Sequence, residues 1–375
     1  MCPLIRYPFL KTLLSPFRLS QQKSLALYIS AIAEVAQAAS LPLATHLASC
    51  LGIKVGSALR RFYRLLANPR INDQLLTSQL LHLLGQAQKP LLLSIDLTEW
   101  HHNLRMLLAS AIVGTRAIPV QVEVFDKNLI FPSQNILEEN FLRRLVYTLK
   151  EAGIKVIFLC DRGFRRVSWI RLLLELQQLF IVRIVPDVLI YKGNKKGQSL
   201  RSCHLAPGQA VDLGWVWVRQ DKAVKVRVIG VWAPNQAEPW WLATNLDIPL
   251  AEVAALYDRR MGIEEQIRDS KGCRFGVKLE WTQFQTPRYL ARFTLLVGVA
   301  LILWTAVGHA VAQEDPSVRF PCKIKGPRLS LVQIGIRFLQ KVANLIQLNI
   351  CFIQQHLPQA QLRFFPWLST MEATS

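Results

Sequence analysis

The chain has 375 residues, of which 51% are hydrophobic, and this composition excludes an intrinsically disordered protein. The 45 lysines and arginines outnumber the 25 aspartates and glutamates, which leaves a formal net charge of +20. On a folded chain such an excess indicates a polyanionic partner, most often a nucleic acid, although an acidic membrane surface would also attract it.

The cysteines and the N-terminus indicate a cytosolic protein. The seven cysteines are odd in number and scattered, and none forms the close Cys-x-x-Cys pair of a zinc site, so we expect reduced thiols. The first residues have neither a long apolar run nor a small-residue cleavage site, which predicts that there is no secretory signal.

Residues 1–89 are predicted to form an all-helical N-terminal domain. Apolar positions from Leu25 to Ala36 follow a helical period, and a second helix can begin near Pro42 and end at Gly52. A third helix is predicted around residues 55–66, and it places three arginines beside its apolar face. These are Arg60, Arg61 and Arg64. They form either a solvated basic face or a face that contacts DNA phosphates.

Residues 90–185 have the pattern of an α/β core. Three strands follow one another so closely that they must be antiparallel neighbours, because parallel pairs need a longer crossover. A helix with a capping-box-like start at Asn135 and Glu138 comes next, followed by a strand, a helix and a strand. The predicted strands are 91–95, 104–113, 117–125, 154–160 and 180–185. The order β-β-β-α-β-α-β predicts one mixed five-stranded sheet with flanking helices.

The rest of the chain is predicted to divide into three parts. Residues 186–249 form a β-rich insertion, residues 250–310 complete the α/β core, and residues 311–375 form a C-terminal helical segment. The apolar run 293–307 is about 15 residues long, short of the roughly 20 that span a bilayer, so we expect a buried core helix. A membrane-surface protein is the alternative. Residues 329–354 are basic and amphipathic and could contact a partner.

The stretch from Tyr257 to Lys271 predicts a helix with an unusual face. At about 100° per residue, Tyr257, Arg260, Glu264 and Lys271 fall on one stripe, where a core helix would carry leucines. A solvated face with charge pairs four residues apart would have the same pattern. Gly262 is the weakest helix former in this stretch.

Two aspartates and the stripe glutamate predict a metal site. Asp96 and Asp161 follow predicted strands, and if those strands are neighbours their carboxylates leave the sheet at the same edge. Glu264 can supply a third carboxylate. Carboxylates without soft ligands favour Mg²⁺ or Mn²⁺ over zinc, and two such ions can activate a phosphodiester. A strand-end aspartate by itself is more often a turn former.

This ordered set resembles the DDE transposases of the insertion-sequence-four family. Tyr257, Arg260, Glu264 and Lys271 match that family's Tyr-x2-Arg-x3-Glu-x6-Lys signature. The segments Ser-Ile-Asp96-Leu-Thr and Cys-Asp161-Arg-Gly-Phe resemble its two aspartate motifs. The resemblance covers most of the chain, because the helical start and the β-rich insertion also correspond.

The resemblance implies an RNase H-like core that cuts double-stranded DNA at transposon ends and joins the 3′-hydroxyl to a target. Asp96, Asp161 and Glu264 would hold two Mg²⁺ or Mn²⁺ ions, while Tyr257, Arg260 and Lys271 would contact backbone phosphates. It also implies a homodimer on DNA and a cytoplasmic, nucleoid-associated prokaryotic protein without a membrane partner. An aromatic residue of the insertion would stack on a flipped base; the candidates are Trp241, Trp240 and Trp232.

Two other functions remain open on the sequence. The first is an RNase H-like nuclease that cuts DNA without joining strands. The second is a basic DNA-binding relative whose catalytic centre has decayed, although the presence of all three acids disfavours it.

Overall fold

The computed structural model describes residues 7–87, 90–129, 133–193, 196–218, 224–234, 236–264, 279–319, 329–342 and 349–358. Its strands are β1 Leu91–Glu99, β2 Leu104–Val113, β3 Arg116–Asp126, β4 Val156–Cys160, β5 Leu179–Ile184, β6 Leu189–Tyr191, β7 Gln198–Ser199, β8 Ala210–Val218, β9 Val224–Val231 and β10 Trp240–Thr244.

Its α-helices are α1 Pro8–Leu13, α2 Leu19–Val35, α3 Ser40–Leu51, α4 Val55–Ala67, α5 Asp73–Ala87, α6 Gln134–Glu151, α7 Val167–Glu175, α8 Leu250–Asp258, α9 Pro287–Glu314, α10 Leu331–Val342 and α11 Ile350–His356. Short 3-10 helices lie at Arg162–Phe164, Leu200–Ser202, Leu279–Thr282 and Pro316–Arg319.

All these strands belong to one mixed sheet in the order β3-β2-β1-β4-β5-β10-β9-β8-β6-β7. The pairs β1–β4 and β4–β5 are parallel, and the other neighbouring pairs are antiparallel. The predicted element order of the core is therefore confirmed. The sheet is larger than the five strands predicted, because β10 of the insertion pairs with β5 and satisfies backbone groups that would otherwise form an open edge.

The first strand is longer than predicted. β1 continues to Glu99 because its last residues pair with β2, where Asp96 lies opposite Leu108. Asp96 therefore lies inside the strand instead of following it. Its pairing with β4, however, ends one residue earlier, where Ile95 lies opposite Cys160. Asp96 is consequently the first β1 residue beyond the parallel pairing.

The described N-terminal region contains five α-helices, two more than predicted. The first addition is α1, which begins at Pro8; the first residue of a helix has no intrahelical partner for its N–H, so proline is tolerated there. The second addition is α5, whose leucines Leu76, Leu80 and Leu84 are buried at helical spacing. Gly52 ends α3, as predicted, and its φ of 63° lies in the left-handed region that glycine adopts without strain.

Helix α9 is the core helix of the molecule. It is 28 residues long, and it buries residues on all sides, among them Phe293, Leu296 and Trp304. By length and composition it could cross a membrane, but 89% of its most apolar 18-residue window is buried inside the protein. The bent pair α2–α3 passes the same test across a bend of 108°. The predicted burial of residues 293–307 is confirmed.

The described C-terminal helices pack on α9. A Cβ atom at Gly308 would overlap the Leu331 carbonyl oxygen, and one at Gly335 would overlap that of Trp304. These two glycines thus allow the backbones of α9 and α10 to approach closely. The apolar side of α10, with Val332 and Leu339, is buried in this contact and does not face a partner.

Arg292 ties α9 to the N-terminal helices. Its side chain is fully buried, and its guanidinium donates to Asp73 Oδ1 at 2.7 Å and Oδ2 at 3.1 Å. It also donates to four backbone carbonyl oxygens of the segment from α4 to α5, those of Leu65, Leu66, Asn68 and Ile71, at 2.8–3.0 Å. Leu65 and Leu66 lie in the last turn of α4, where the helix supplies no further i+4 amide donors to the carbonyls.

Four cysteines lie in the described residues, and all four are free thiols, as the sequence predicts. They are Cys50, Cys160, Cys203 and Cys351. Cys2, Cys273 and Cys322 lie outside the described residues.

Candidate catalytic site

The sheet brings Asp96 and Asp161 to the same level. Ile95 of β1 and Cys160 of β4 are partners in the parallel ladder, and each aspartate is the next residue along its strand. Burial raises the pKa of Asp96 and the attraction of Arg260 lowers it, while the negative charge of Asp161 raises it further. The prediction that the two strands are neighbours is therefore confirmed, and both carboxylates lie within electrostatic reach of each other.

The loop that carries Asp161 is fixed by local bonds. Asp161 begins the 3-10 helix Arg162–Phe164, and its Oδ1 accepts a hydrogen bond from the Gly163 amide at 2.8 Å. Two residues beyond Phe164, Arg166 donates to the buried Glu138 of α6 at 2.7 Å. The orientation of Asp161 is thus set by its own turn, while the Arg166–Glu138 ion pair ties the segment that follows to α6.

Glu138 does not act as the predicted capping residue. The cap of α6 is Ser133, whose hydroxyl accepts from the Ile136 amide at 3.4 Å, because the helix begins one residue before the predicted cap at Asn135. Glu138 is only 2% exposed and accepts from both Arg166 and Gln134, each at 2.7 Å. The Arg166–Glu138 pair could not be predicted from local sequence, since its members are 28 positions apart.

The predicted stripe helix is interrupted. Helix α8 ends at Asp258, and residues 259–260 form a turn in which Arg260 N donates to Tyr257 O at 2.9 Å. Residues 261–264 are helical again, and Lys271 lies outside the described residues. Tyr257 is 2% exposed, its ring contacts Trp240, and its hydroxyl has no hydrogen-bond partner within the described part of the chain.

Arg260 occupies the centre of the site. It is 8% exposed, its Nη2 donates to Glu264 Oε1 at 2.7 Å, and its guanidinium lies 6.0 Å from the centre of the Tyr257 ring. Burial works to lower the pKa of Arg260, but the negative groups around it, including Asp96, Glu264 and Asp161, raise it overall. Arg260 therefore pairs with Glu264 and lies within electrostatic reach of Asp96 and Asp161.

The surroundings of Asp96 raise the pKa of its carboxyl group. Its pKa is raised from 3.8 to about 6. Burial is the largest cause, Arg260 opposes it, and the charges of Asp161 and then Glu264 raise the pKa further. A half-buried acid close to two other carboxylates is an environment in which an added cation would be favoured.

The predicted metal ligands fit a hard divalent cation by their chemistry, because all three are carboxylates. Within the residues that the structure describes, however, no three His, Cys, Asp or Glu side chains are grouped so that they could hold one ion. The carboxylate of Glu264 instead binds Arg260. Asp96 and Asp161 are thus placed as a pair, and Glu264 has to leave Arg260 before it can join them.

The remaining predicted contact residues are distributed between the surface and the core. Arg60, Arg61 and Arg64 are exposed on α4. Trp241, the candidate for base stacking, is 2% exposed because it lies on β10 between β5 and β9, where Gly230 makes room for its ring. Trp240 is also buried, and Trp232 is half-buried. Trp240 and Trp241 therefore present no open aromatic face in this structure.

Two other tryptophans are exposed, and sequence reasoning did not single them out. Trp215 on β8 is 47% exposed, and Trp281 in the 3-10 helix after the stripe is 56% exposed. Trp281 directly follows the charged residue Glu280 and lies outside an apolar run. This pattern could have indicated that its side chain is exposed.

Replacing Asp96 with asparagine is expected to stabilise the protein at neutral and alkaline pH. Folded Asp96 holds its proton more tightly than the unfolded chain does, so the free energy of unfolding falls as the pH rises from about 4 to about 6. Since one pKa unit corresponds to about 1.4 kcal/mol, the variant should be more stable by on the order of 2–3 kcal/mol at pH 8.

Urea unfolding of the wild type and the Asp96→Asn variant at a series of pH values measures this difference. The gap should close below about pH 4, where the wild-type carboxyl is protonated in both states. Two curves that remain parallel from pH 4 to pH 8 would show that Asp96 is not destabilised by its surroundings.

Part of the chain is similar to a known family of domains. The chain is not similar enough to any curated protein to give a match. Residues 127–285, less than half of the chain, match the family model described as the transposase DDE domain. The matched segment contains Asp161, Arg260 and Glu264, and Asp96 precedes it. Residues 127–285 are thus similar to the DDE domain of transposases.

Proposed function

We propose that the chain is a transposase of the insertion-sequence-four type, which cuts the DNA ends of a bacterial insertion sequence and joins their 3′-hydroxyls to target DNA. One observation carries the proposal: Asp96 and Asp161 leave neighbouring parallel strands at one level, with Glu264 and Arg260 in electrostatic reach. The match of residues 127–285 to the transposase DDE domain supports it, and so does the net charge of +20.

The topology supports an RNase H-like core for this transposase. The strands β3-β2-β1-β4-β5 form a continuous part of the sheet, with β1, β4 and β5 parallel. The insertion 186–249 then separates Asp161 from Glu264 along the chain. We retain the proposed division into an N-terminal helical domain, a core in two parts, the insertion and a C-terminal helical segment.

In the proposed reaction, Asp96, Asp161 and Glu264 hold two Mg²⁺ or Mn²⁺ ions. When bound, such ions polarise the phosphodiester and make the attacking oxygen a better nucleophile. Arg260 exchanges its bond with Glu264 for a DNA phosphate, and Lys271 contacts a second phosphate. The side chain of Tyr257, including its hydroxyl, is buried. Tyr257 is therefore proposed to act through its ring, which lies beside the Arg260 guanidinium.

The protein is further proposed to act on double-stranded DNA in the cytoplasm of a prokaryote, without a membrane partner. Two transposon ends have to be cut in one complex, so we propose a homodimer on DNA. Arg60, Arg61 and Arg64 are proposed to contact DNA from α4, where all three are exposed.

A joining assay with oligonucleotide duplexes tests the function. The substrate duplex carries the DNA that flanks the coding region, and labelled target DNA is added with Mg²⁺ or with a chelator. We expect cleavage and a joined product that both require the metal ion. Cleavage without a joined product would favour the nuclease, and DNA binding without cleavage would favour the decayed relative.

A further inference from the structure

Three concavities join into one groove along the N-terminal helices and α6. The first, of about 490 Å³, lies between α2 and α4. The second, of about 650 Å³, lies between the start of α2 and the loop that joins α4 to α5. The third, of about 510 Å³, lies between α5 and α6. Gln21 lines the first and second, while Asn72 and Leu75 line the second and third, so the three concavities are adjacent and share wall residues.

Exposed arginines line the groove along its whole length. They are Arg61 and Arg64 in the first concavity, Arg18 and Arg70 in the second, and Arg143 in the third. None of these five makes an ion pair with another residue in the ranges that the structure describes. Arg144 also lines the third concavity, but its charge is paired with Glu123. Glu151 is the acidic member of the described lining.

The walls of the groove are held in place before any ligand binds. Gln21 of α2 donates to the Arg70 carbonyl oxygen at 2.8 Å, which joins the two sides of the second concavity. Gln74 of α5 donates to the hydroxyl of Thr148 on α6, which joins the sides of the third. Arg292 also holds the loop between α4 and α5, because its guanidinium donates hydrogen bonds to the carbonyl oxygens of Asn68 and Ile71. A binding surface that is already ordered loses little conformational entropy when it binds.

We propose that this groove binds the phosphate backbone of duplex DNA, and that Arg18, Arg70 and Arg143 are contact residues in addition to those of α4. The positive charges are spread over three concavities on separate elements, so the matching ligand is an extended polyanion and not a single small anion. Hydroxyl and amide side chains near the arginines, such as Ser20 and Asn68, supply neutral donors to phosphate oxygens.

The groove rests on the proposed action on DNA, but it is separate from the catalytic acids. None of the lining residues is Asp96, Asp161 or Glu264. Contacts to phosphates fix position and carry no base sequence. The groove therefore supplies affinity and register along the duplex, while the acids at β1 and β4 supply the chemistry.

The salt dependence of binding to a random-sequence duplex tests the groove. The Arg18→Gln/Arg70→Gln variant should show a salt slope smaller by about 2 than the wild type, since each lost phosphate contact removes about 1. At 0.1 M salt its affinity should fall about 10- to 100-fold. The control is Arg201→Gln/Lys225→Gln, which removes two exposed cations from the insertion and should leave the slope unchanged.

The outcomes separate the groove from the proposed function. A wild type that does not bind duplex DNA contradicts both. A wild type that binds, with an unchanged slope in the folded Arg18→Gln/Arg70→Gln variant, overturns the groove alone. If that variant does not fold, Arg143→Gln on α6 replaces it: a slope smaller by about 1 supports the groove, and an unchanged slope overturns it.

Discussion

Replacing Asp161 with asparagine should lower the single-turnover rate of DNA cleavage by at least about 10³-fold, which corresponds to about 4 kcal/mol of transition-state stabilisation. Asparagine keeps an oxygen that can accept from the Gly163 amide, as Asp161 Oδ1 does at 2.8 Å. The turn that carries the residue should therefore survive, and the change removes mainly the negative charge. The loss reports on that charge and not on the fold of the loop.

The matched control for this change is Asp247→Asn, because Asp247 is exposed in the segment between β10 and α8. Its cleavage rate should equal that of the wild type. Equal melting temperatures of the three proteins would show that folding is not the cause of any difference. Full cleavage by the Asp161→Asn protein would refute the assignment of Asp161 to the catalytic centre.

Replacing Arg292 with methionine should lower the free energy of unfolding by about 3–5 kcal/mol, the usual result of removing one partner of a buried ion pair. Methionine fills much of the same volume but donates no hydrogen bond. The four backbone carbonyls that Arg292 binds, together with the carboxylate of Asp73, would then be left without this donor. Arg292→Lys should restore only part of the loss, since a single ammonium cannot reach all of these acceptors.

Chemical denaturation of both variants measures the effect, with Arg288→Met as the control. Arg288 is exposed one turn earlier on the same helix, and its replacement should change the free energy of unfolding by less than about 0.5 kcal/mol. A stability equal to that of the wild type in Arg292→Met would show that the buried network does not hold α9 to the N-terminal helices.

The sequence predicted the frame of the site because that frame depends on local patterns. Short strands separated by turns could only pair as antiparallel neighbours, and the following crossovers could only add parallel strands. Asp96 and Asp161 were therefore predictable as a pair. The continuation of β1 to Glu99 was not, because it depends on pairing with β2 and not on the apolar run itself.

The packing of individual side chains could not be predicted, because it depends on residues distant in sequence. The sequence indicated Trp241 as a candidate for base stacking, but β10 lies between β5 and β9, and the Trp241 side chain is buried there. Arg292 directly precedes the apolar run 293–307, yet its hydrogen-bond partners lie more than 200 positions earlier in the chain. The Arg260–Glu264 pair is local, and the i,i+4 rule anticipates it, but its electrostatic proximity to Asp96 and Asp161 depends on the tertiary fold.

Titration of the protein with Mn²⁺, followed by electron paramagnetic resonance of the free ion, tests the assembly of the three acids most directly. The wild type should bind Mn²⁺, and Asp96→Asn and Asp161→Asn should each bind it at least about tenfold more weakly. Arg260→Gln should bind it more tightly, because the change frees Glu264 and removes a positive charge from the site. Equal Mn²⁺ affinity in the wild type and both aspartate variants would contradict the proposed catalytic centre.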